Sequence, residues 1–479
     1  MLANKYISNI GGTTFMENLW ILTEERPKVS VIRQIISIYE TDFNGTVEFE
    51  NHNNIKIKPI FKDGYFMFKY VVEGIKLLNI NEIIIKTVSG SSSFFDFLVF
   101  QQEAEPSEDK PGNLLMAIEE TKTSDDESRN TGVYQRASKF AFIDAFYKNI
   151  KLYMLYNDEL ENREEKKPSD TSIFGTNMLL SNDVKIIGKD TSKWFKPFQS
   201  LADMIEFKRN MRQPPEGNIP IIITQYEDKI EVSGRLSKPA DAGNIGHDPN
   251  IGALSLISKT IRHFGWDKRI VITMHGVTQE YVDKTRGKNK FLYICNILGI
   301  ELDGIVMPPH VSLPEKYWHY EKSSEKLASI LLHMVGIYHG MKGVYQNHAG
   351  CERGYFKTLE DDLIALPKKD KQGINLYIPD LVLYDMQSRY VTLVEGKKLS
   401  TLQDGVREIE NYDSIETEFI KPHYPGCKIH RCISIYGGNR PELPHPKVIL
   451  YLSDNGKVFI NPDSPQCIID AFQKEGIEV

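Results

Sequence analysis

The stretch Tyr377-Ile-Pro-Asp-Leu-Val-Leu-Tyr-Asp385, followed after a polar turn by Tyr390-Val-Thr-Leu-Val-Glu-Gly-Lys-Lys398, constrains this chain more than any other. Two apolar runs rich in Val, Leu and Tyr, separated by Asp385-Met-Gln-Ser-Arg389, read as a β-hairpin. Asp380 falls early on the first strand. Glu395 and Lys397 lie two residues apart on the second, so a period of two puts both on one face. One face of one hairpin then carries two carboxylates and an ammonium. The plain alternative is an edge hairpin with a surface ion pair.

That set suits phosphodiester hydrolysis. Mg²⁺ is a hard cation that takes carboxylate, water and phosphate oxygens in an octahedral array, and Asp380 with Glu395 supplies the protein's share. Bound metal lowers the pKa of its water and neutralises charge on the phosphate, while Lys397 positions that water or steadies the developing charge. The pattern resembles the PD-(D/E)XK nuclease motif, as Pro379-Asp380 and Glu395-Gly396-Lys397. In that superfamily, which includes most type II restriction endonucleases, the Asp and Glu bind the metal and the Lys serves the attacking water. The resemblance implies an α/β fold: a central mixed β-sheet flanked by helices.

A second hairpin of this kind lies nearer the start. Phe94-Phe-Asp-Phe-Leu-Val-Phe100 and Leu114-Leu-Met-Ala-Ile-Glu-Glu-Thr-Lys122 are apolar strands, with Asp96 on one and Glu120-Thr121-Lys122 ending the other. Phe95-Asp96 stands where the motif has Pro-Asp. A polar segment and a helical run from Gly132 to Tyr147 follow, as the superfamily's core requires. By resemblance, Asp96, Glu120 and Lys122 form a second catalytic set, with Asp96 and Glu120 on the metal. The alternative is a buried strand pair ending in charges.

No apolar run among the 479 residues reaches membrane-spanning length, and no signal-peptide pattern opens the chain. Five cysteines suggest a reducing cytoplasm rather than a disulfide framework. A net charge of −7 argues against a chain coated in Lys and Arg, though not against a local basic cleft. The length allows two or three cored domains. A boundary is expected at Met307-Pro-Pro-His-Val-Ser-Leu-Pro314, giving an N-terminal recognition and nuclease-like domain (1–306), a linker (307–320) and a C-terminal nuclease domain (321–479).

Phe15 to Tyr39 is expected to be largely helical apart from a break at Pro27, and Glu24 or Glu25 is within reach of the first site. Gln135, Arg136 and Lys139 are candidates to address bases or phosphates from the helix after the first hairpin. So are Arg235, Lys238, Asn244 and His247, in the Gly-rich loop from Gly234 to Gly252. Lys284-Thr-Arg-Gly-Lys-Asn-Lys290 is the densest basic cluster, and Lys284, Arg286, Lys288 and Lys290 are expected to track phosphates. Glu352 is a candidate further carboxylate for the second site. His423, Cys427, His430 and Cys432 match none of the paired zinc spacings.

Two nonidentical cores suit an asymmetric duplex site, one core per strand, bound by a monomer. The whole looks like a type IIS-like restriction endonuclease, with Mg²⁺ as cofactor, double-stranded DNA as substrate and a cognate DNA methyltransferase as genetic partner. Two alternatives stay open: a single live core at Asp380, Glu395 and Lys397, working as a dimer in restriction, repair or CRISPR-linked cleavage, and a DNA-binding module whose carboxylates are structural.

Overall fold

The computed structural model describes residues 16–479 apart from 25, 91–93, 111, 122–131, 157–167, 189–190, 212–220, 236–248, 285–289, 312, 321–324, 346–353, 360–362, 368 and 371. It has the expected mixed α/β architecture, in which helices flank mixed sheets.

The N-terminal sheet contains β1 (Glu17–Thr23), β2 (Lys56–Lys62), β3 (Tyr65–Glu73), β4 (Ile80–Gly90), β5 (Phe97–Gln102), β6 (Leu114–Thr121), β7 (Lys151–Tyr156) and β8 (Lys185–Ile187), in the spatial order β8-β7-β6-β5-β1-β4-β3-β2. Helices α1 (Val29–Phe43), α2 (Gly132–Phe142) and α3 (Asp170–Ser181) accompany it. The helix expected from Phe15 is wrong for its first half, because Glu17–Thr23 is a strand inside the sheet. Leu19, Trp20, Ile21 and Leu22 are all buried, and a short apolar run covered on both faces carries no period that separates strand from helix.

An inserted α/β unit follows: β9 (Ile222–Gln225), β10 (Lys229–Arg235), α4 (Pro249–His263), β11 (Arg269–His275), α5 (Lys290–Leu298) and β12 (Ile300–Leu302). Strands β10, β11 and β12 run parallel, and β9 lies antiparallel at the edge. The unit packs its helices on α2. At Gly252 of α4 a Cβ would stand 1.6 Å from the Tyr134 carbonyl oxygen of α2, so only glycine lets these two helices approach so closely.

The expected linker, 307–320, is not all connector. It ends in β13 (Trp318–Tyr320), which pairs antiparallel with β4, and Tyr317 and Trp318 are buried. Aromatic burial outweighs the extended tendency of the prolines before it. The C-terminal core then comprises α6 (Lys326–Tyr338), β14 (Lys342–Tyr345), β15 (Leu381–Asp385), β16 (Tyr390–Lys398), α7 (Leu402–Glu410), β17 (Lys428–Tyr436), β18 (Val448–Leu452), β19 (Val458–Ile460) and α8 (Gln466–Lys474). Its sheet runs β14-β15-β16-β17-β18-β19. The apolar stripe of α6 is buried between the two sheets, against β2 on one side and β17 and β18 on the other, so one core is continuous through both halves.

The two sheets repeat one pattern. Strands β1, β5, β6, β7 and β8 are joined antiparallel, antiparallel, parallel, parallel. Strands β14, β15, β16, β17 and β18 are joined the same way. Helix α2 lies in the connection from β6 to β7, and α7 in that from β16 to β17. The repeat therefore reaches beyond the two hairpins to five strands and a crossover helix.

Candidate active sites

In the C-terminal core the apolar run of β16 is covered on both faces up to Val394, and Glu395, 4 % exposed, is the residue at which it leaves the core. Asp380 sits one residue before β15 rather than on it. The Gly396 N–H donates to Asp380 Oδ2 at 2.9 Å, which locks the two strands together at the site. A Cβ at 396 would lie 2.4 Å from Ser329 Oγ of α6, so the close fit of strand to helix needs glycine here. Lys397 Nζ lies 2.6 Å from Glu395 Oε1 and 3.0 Å from Glu408 of α7. The buried Tyr412 hydroxyl donates to Glu395 Oε2. Burial pushes the carboxyls of Asp380 and Glu395 up; Glu325 and Glu408 add to this at Asp380, and Asp380 itself does at Glu395. Asp380, Glu395 and Lys397 thus do meet, in an acid-rich cluster.

The N-terminal core brings together a different set from the one expected there. The Glu120 N–H donates to Asp96 Oδ2 at 2.7 Å, as Gly396 does to Asp380, so Glu120 occupies the glycine's place and Glu119 that of Glu395. Side chains alternate along β6. Glu120 turns away and pairs with Lys28 at 2.9 Å, while Glu119 faces α2. Lys139 of α2 places its ammonium 2.7 Å from both oxygens of Glu119 and 3.6 Å from Asp96. Arg136 adds its guanidinium 3.3 Å from Glu119 and donates to the Glu120 carbonyl oxygen. The strand register therefore puts Glu119, rather than the expected Glu120, on the face that meets Lys139 and Asp96. Lys122 lies outside the described residues, and the lysine that reaches the acid comes from the helix.

Glu119 is 1 % exposed, and burial followed by the charge of Asp96 pushes its carboxyl up to about 7. Tyr317, from the expected linker, takes a hydrogen bond with the Phe95 main chain beside this cluster. Lys290 also approaches it. Far from tracking phosphates on the surface, Lys290 is 7 % exposed, and burial and then Lys139 push its ammonium down to about 7. It opens α5, a helix whose next five residues are buried and which packs on α2, and the packing draws it inward.

The remaining expectations divide by position. Lys284 is exposed and pairs with Glu280 at 2.8 Å. Arg235 is exposed at the end of β10. Gln135 lies on α2 with Arg136 and Lys139, which point into the site rather than to solvent alone. Glu24 is exposed just past β1. Lys238, Asn244, His247, Arg286, Lys288, Glu352 and Glu25 lie outside the described residues. The Cys432 thiol points to the Leu393 carbonyl oxygen within the sheet.

Among the described residues no group of three or more His, Cys, Asp or Glu side chains is disposed to hold a metal ion. Each site offers two carboxylates, which leaves most of an octahedral shell to water and phosphate oxygens. Glu119 had one available signal: the spacing of alternate residues from Ala117, which packs toward α2 as Leu393 packs toward α7. Comparison with protein-family models, with curated proteins and with solved structures found no match to this chain. No helix among the described residues is long and apolar enough to cross a membrane.

Proposed function

We propose that this chain is a divalent-metal-dependent endonuclease with two nonidentical catalytic centres, each cutting one strand of duplex DNA at an asymmetric site, in the manner of a type IIS-like restriction endonuclease. The observation that carries the reading is the repetition on one topology of an Asp, a strand Glu and a Lys, with the Asp held by the N–H of the residue after the Glu. Surface ion pairs have no reason to recur with the same strand order and the same main-chain hydrogen bond. A scaffold whose carboxylates served only folding would not leave Asp380 and Glu395 buried together in an acidic excess, where burial and then Asp380 push the Glu395 carboxyl up and burial, with Glu325 and Glu408, pushes that of Asp380 up.

That excess suits Mg²⁺, which Asp380 and Glu395 would hold in the C-terminal centre; in the N-terminal one Asp96 and Glu119, here paired with Lys139 and Arg136, are the carboxylates that would hold it. Bound there, the metal would supply an acidified water and charge neutralisation at the phosphate. Glu395 and Glu119 orient their lysines, and Lys397 and Lys139 hold the proton balance and position of the attacking water. Tyr412 fixes the second oxygen of Glu395. A monomer then suffices for a double-strand break, and the genetic partner of such an enzyme is a DNA methyltransferase that protects the host's own sites.

The test is digestion of supercoiled plasmid by the full chain. Mg²⁺ or Mn²⁺ is expected to give discrete linear products, and Ca²⁺ to give binding with little cutting. Full cleavage in excess chelator would contradict the metal chemistry, and no cleavage with any divalent metal would contradict the nuclease.

A further inference from the structure

Helix α7 is shaped around Lys397. It packs on β16 and β17 by the face that carries Leu402, Gly405 and Ile409. A Cβ at 405 would stand 2.8 Å from Lys397 Cγ, so glycine there lets the helix lie directly on the lysine stem. Three residues on, nearly one turn, Glu408 projects from the same side and meets the head of the lysine: its Oε2 lies 3.0 Å from Lys397 Nζ. Gly405 and Glu408 thus attend to the two ends of one side chain.

Lys397 therefore has two carboxylate partners, Glu395 at 2.6 Å and Glu408 at 3.0 Å. The two differ in what else is asked of them. Glu395 is buried, its second oxygen is taken by the Tyr412 hydroxyl, and it is one of the carboxylates that would hold the divalent cation. Glu408 is the most open of the three, its side chain 30 % exposed against 13 % for Lys397 and 6 % for Glu395. Two cations on one carboxylate repel, so Lys397 must withdraw from Glu395 as the metal ion arrives. An ammonium so little exposed is costly to leave unpaired, and Glu408 keeps it paired. The N-terminal centre is built otherwise. Among the described residues, the carboxylates that Lys139 meets, Glu119 at 2.7 Å and Asp96 at 3.6 Å, are themselves the ones that would hold the metal.

We propose that Glu408 is a positioning residue of the C-terminal centre: it receives the ammonium of Lys397 when a divalent cation takes Glu395, and so keeps Lys397 at the edge of the centre, where the attacking water is handled. The proposal rests on the nuclease reading. Its chemistry is an exchange of ion pairs, in which Lys397 passes from one carboxylate to the other and no covalent bond changes. Glu408 acts through Lys397 and is not itself a ligand of the metal ion.

The experiment titrates the full chain with Mn²⁺ in the absence of DNA and follows the electron spin resonance of the free ion, so that binding is read without turnover. The uptake lost in Glu395→Gln is that of the C-terminal centre. Glu408→Gln, which keeps the shape of the side chain, is expected to melt with the wild type and to weaken that uptake roughly tenfold, the size of one charge-assisted hydrogen bond. Glu408→Asp is expected to recover part of the loss. In a chain that already carries Lys397→Met, Glu408→Gln is expected to change uptake by no more than about threefold, because no ammonium is left to place. On end-labelled duplex, the Mg²⁺ needed for half-maximal cutting is expected to rise roughly tenfold for the strand assigned through Glu395→Gln and to stay as it was for the other. Unchanged uptake in Glu408→Gln would overturn the proposal alone. So would an equal loss with and without Lys397, which would make Glu408 a ligand of the metal ion. A wild-type chain that takes up no Mn²⁺ and cuts neither strand would overturn the nuclease reading and this proposal with it.

Discussion

Lys139 reaches Glu119 from helix α2, 2.7 Å from both carboxylate oxygens, whereas Lys397 reaches Glu395 at 2.6 Å from two residues further along the same strand. The same ammonium–carboxylate pair is thus built by two routes. In the proposed reaction the chemistry is carried by the pair and the Asp beside it, not by a fixed spacing in the chain.

The first prediction separates the two adjacent glutamates of β6. Lys139→Met is expected to stop cleavage of one strand, so that supercoiled plasmid accumulates as open circles. Glu120→Gln is expected to keep cutting both strands while melting several degrees lower, since Lys28, only 12 % exposed in its side chain, loses its charged partner. A Glu120→Gln enzyme that only nicks would return Glu120 to the catalytic set.

Tyr412→Phe tests the C-terminal centre without removing any of its charged side chains. A hydrogen bond to a charged group contributes about 1.5–3 kcal/mol, so Tyr412→Phe is expected to slow the strand assigned to Asp380 and Glu395 roughly ten- to a hundredfold. The other strand should be cut as before. Strand-resolved rates on labelled duplex measure both, and equal slowing of both strands would mean a general loss of fold.

His333, buried in α6 between the sheets, gives stability a dependence on pH. Burial, and then the nearby Arg26, hold its pKa well below the ordinary value. The unfolded chain therefore takes up a proton below about pH 6.5 that the folded chain refuses, and stability falls by about 1.4 kcal/mol for each further pH unit. Urea midpoints at pH 5 and pH 7 should differ more for the wild type than for His333→Leu. Identical differences would show that this histidine carries no linkage.

The C-terminal hairpin was legible in the sequence because its alternation places Glu395 and Lys397 on one face unaided. In β6 the tandem Glu119-Glu120 offers two readings, and the spacing Glu-X-Lys points to Glu120, whose side chain pairs with Lys28, rather than to Glu119, which meets Lys139. The choice is made by α2, whose Lys139 lies 20 residues further on in the chain and meets the strand only in the fold. Strand β1 misled for a related reason. Its five consecutive buried side chains, Leu19 to Thr23, express cover on both faces, a tertiary fact that leaves no period behind. Lys290 looked like one member of a basic surface cluster, and only the packing of α5 on α2 turns it inward. The five-strand repeat resides in strand direction, which residue patterns do not record.

The central claim is that both centres cut, one per strand. Mapping the ends left by Glu395→Gln and by Glu119→Gln on a plasmid of known sequence, with Mg²⁺, tests it most directly. The two variants are expected to leave single nicks on complementary strands of the same asymmetric site, and the double variant to leave the plasmid intact. Double-strand breaks by Glu119→Gln at the wild-type rate would contradict the account, and would leave the N-terminal core as a scaffold beside a single live centre.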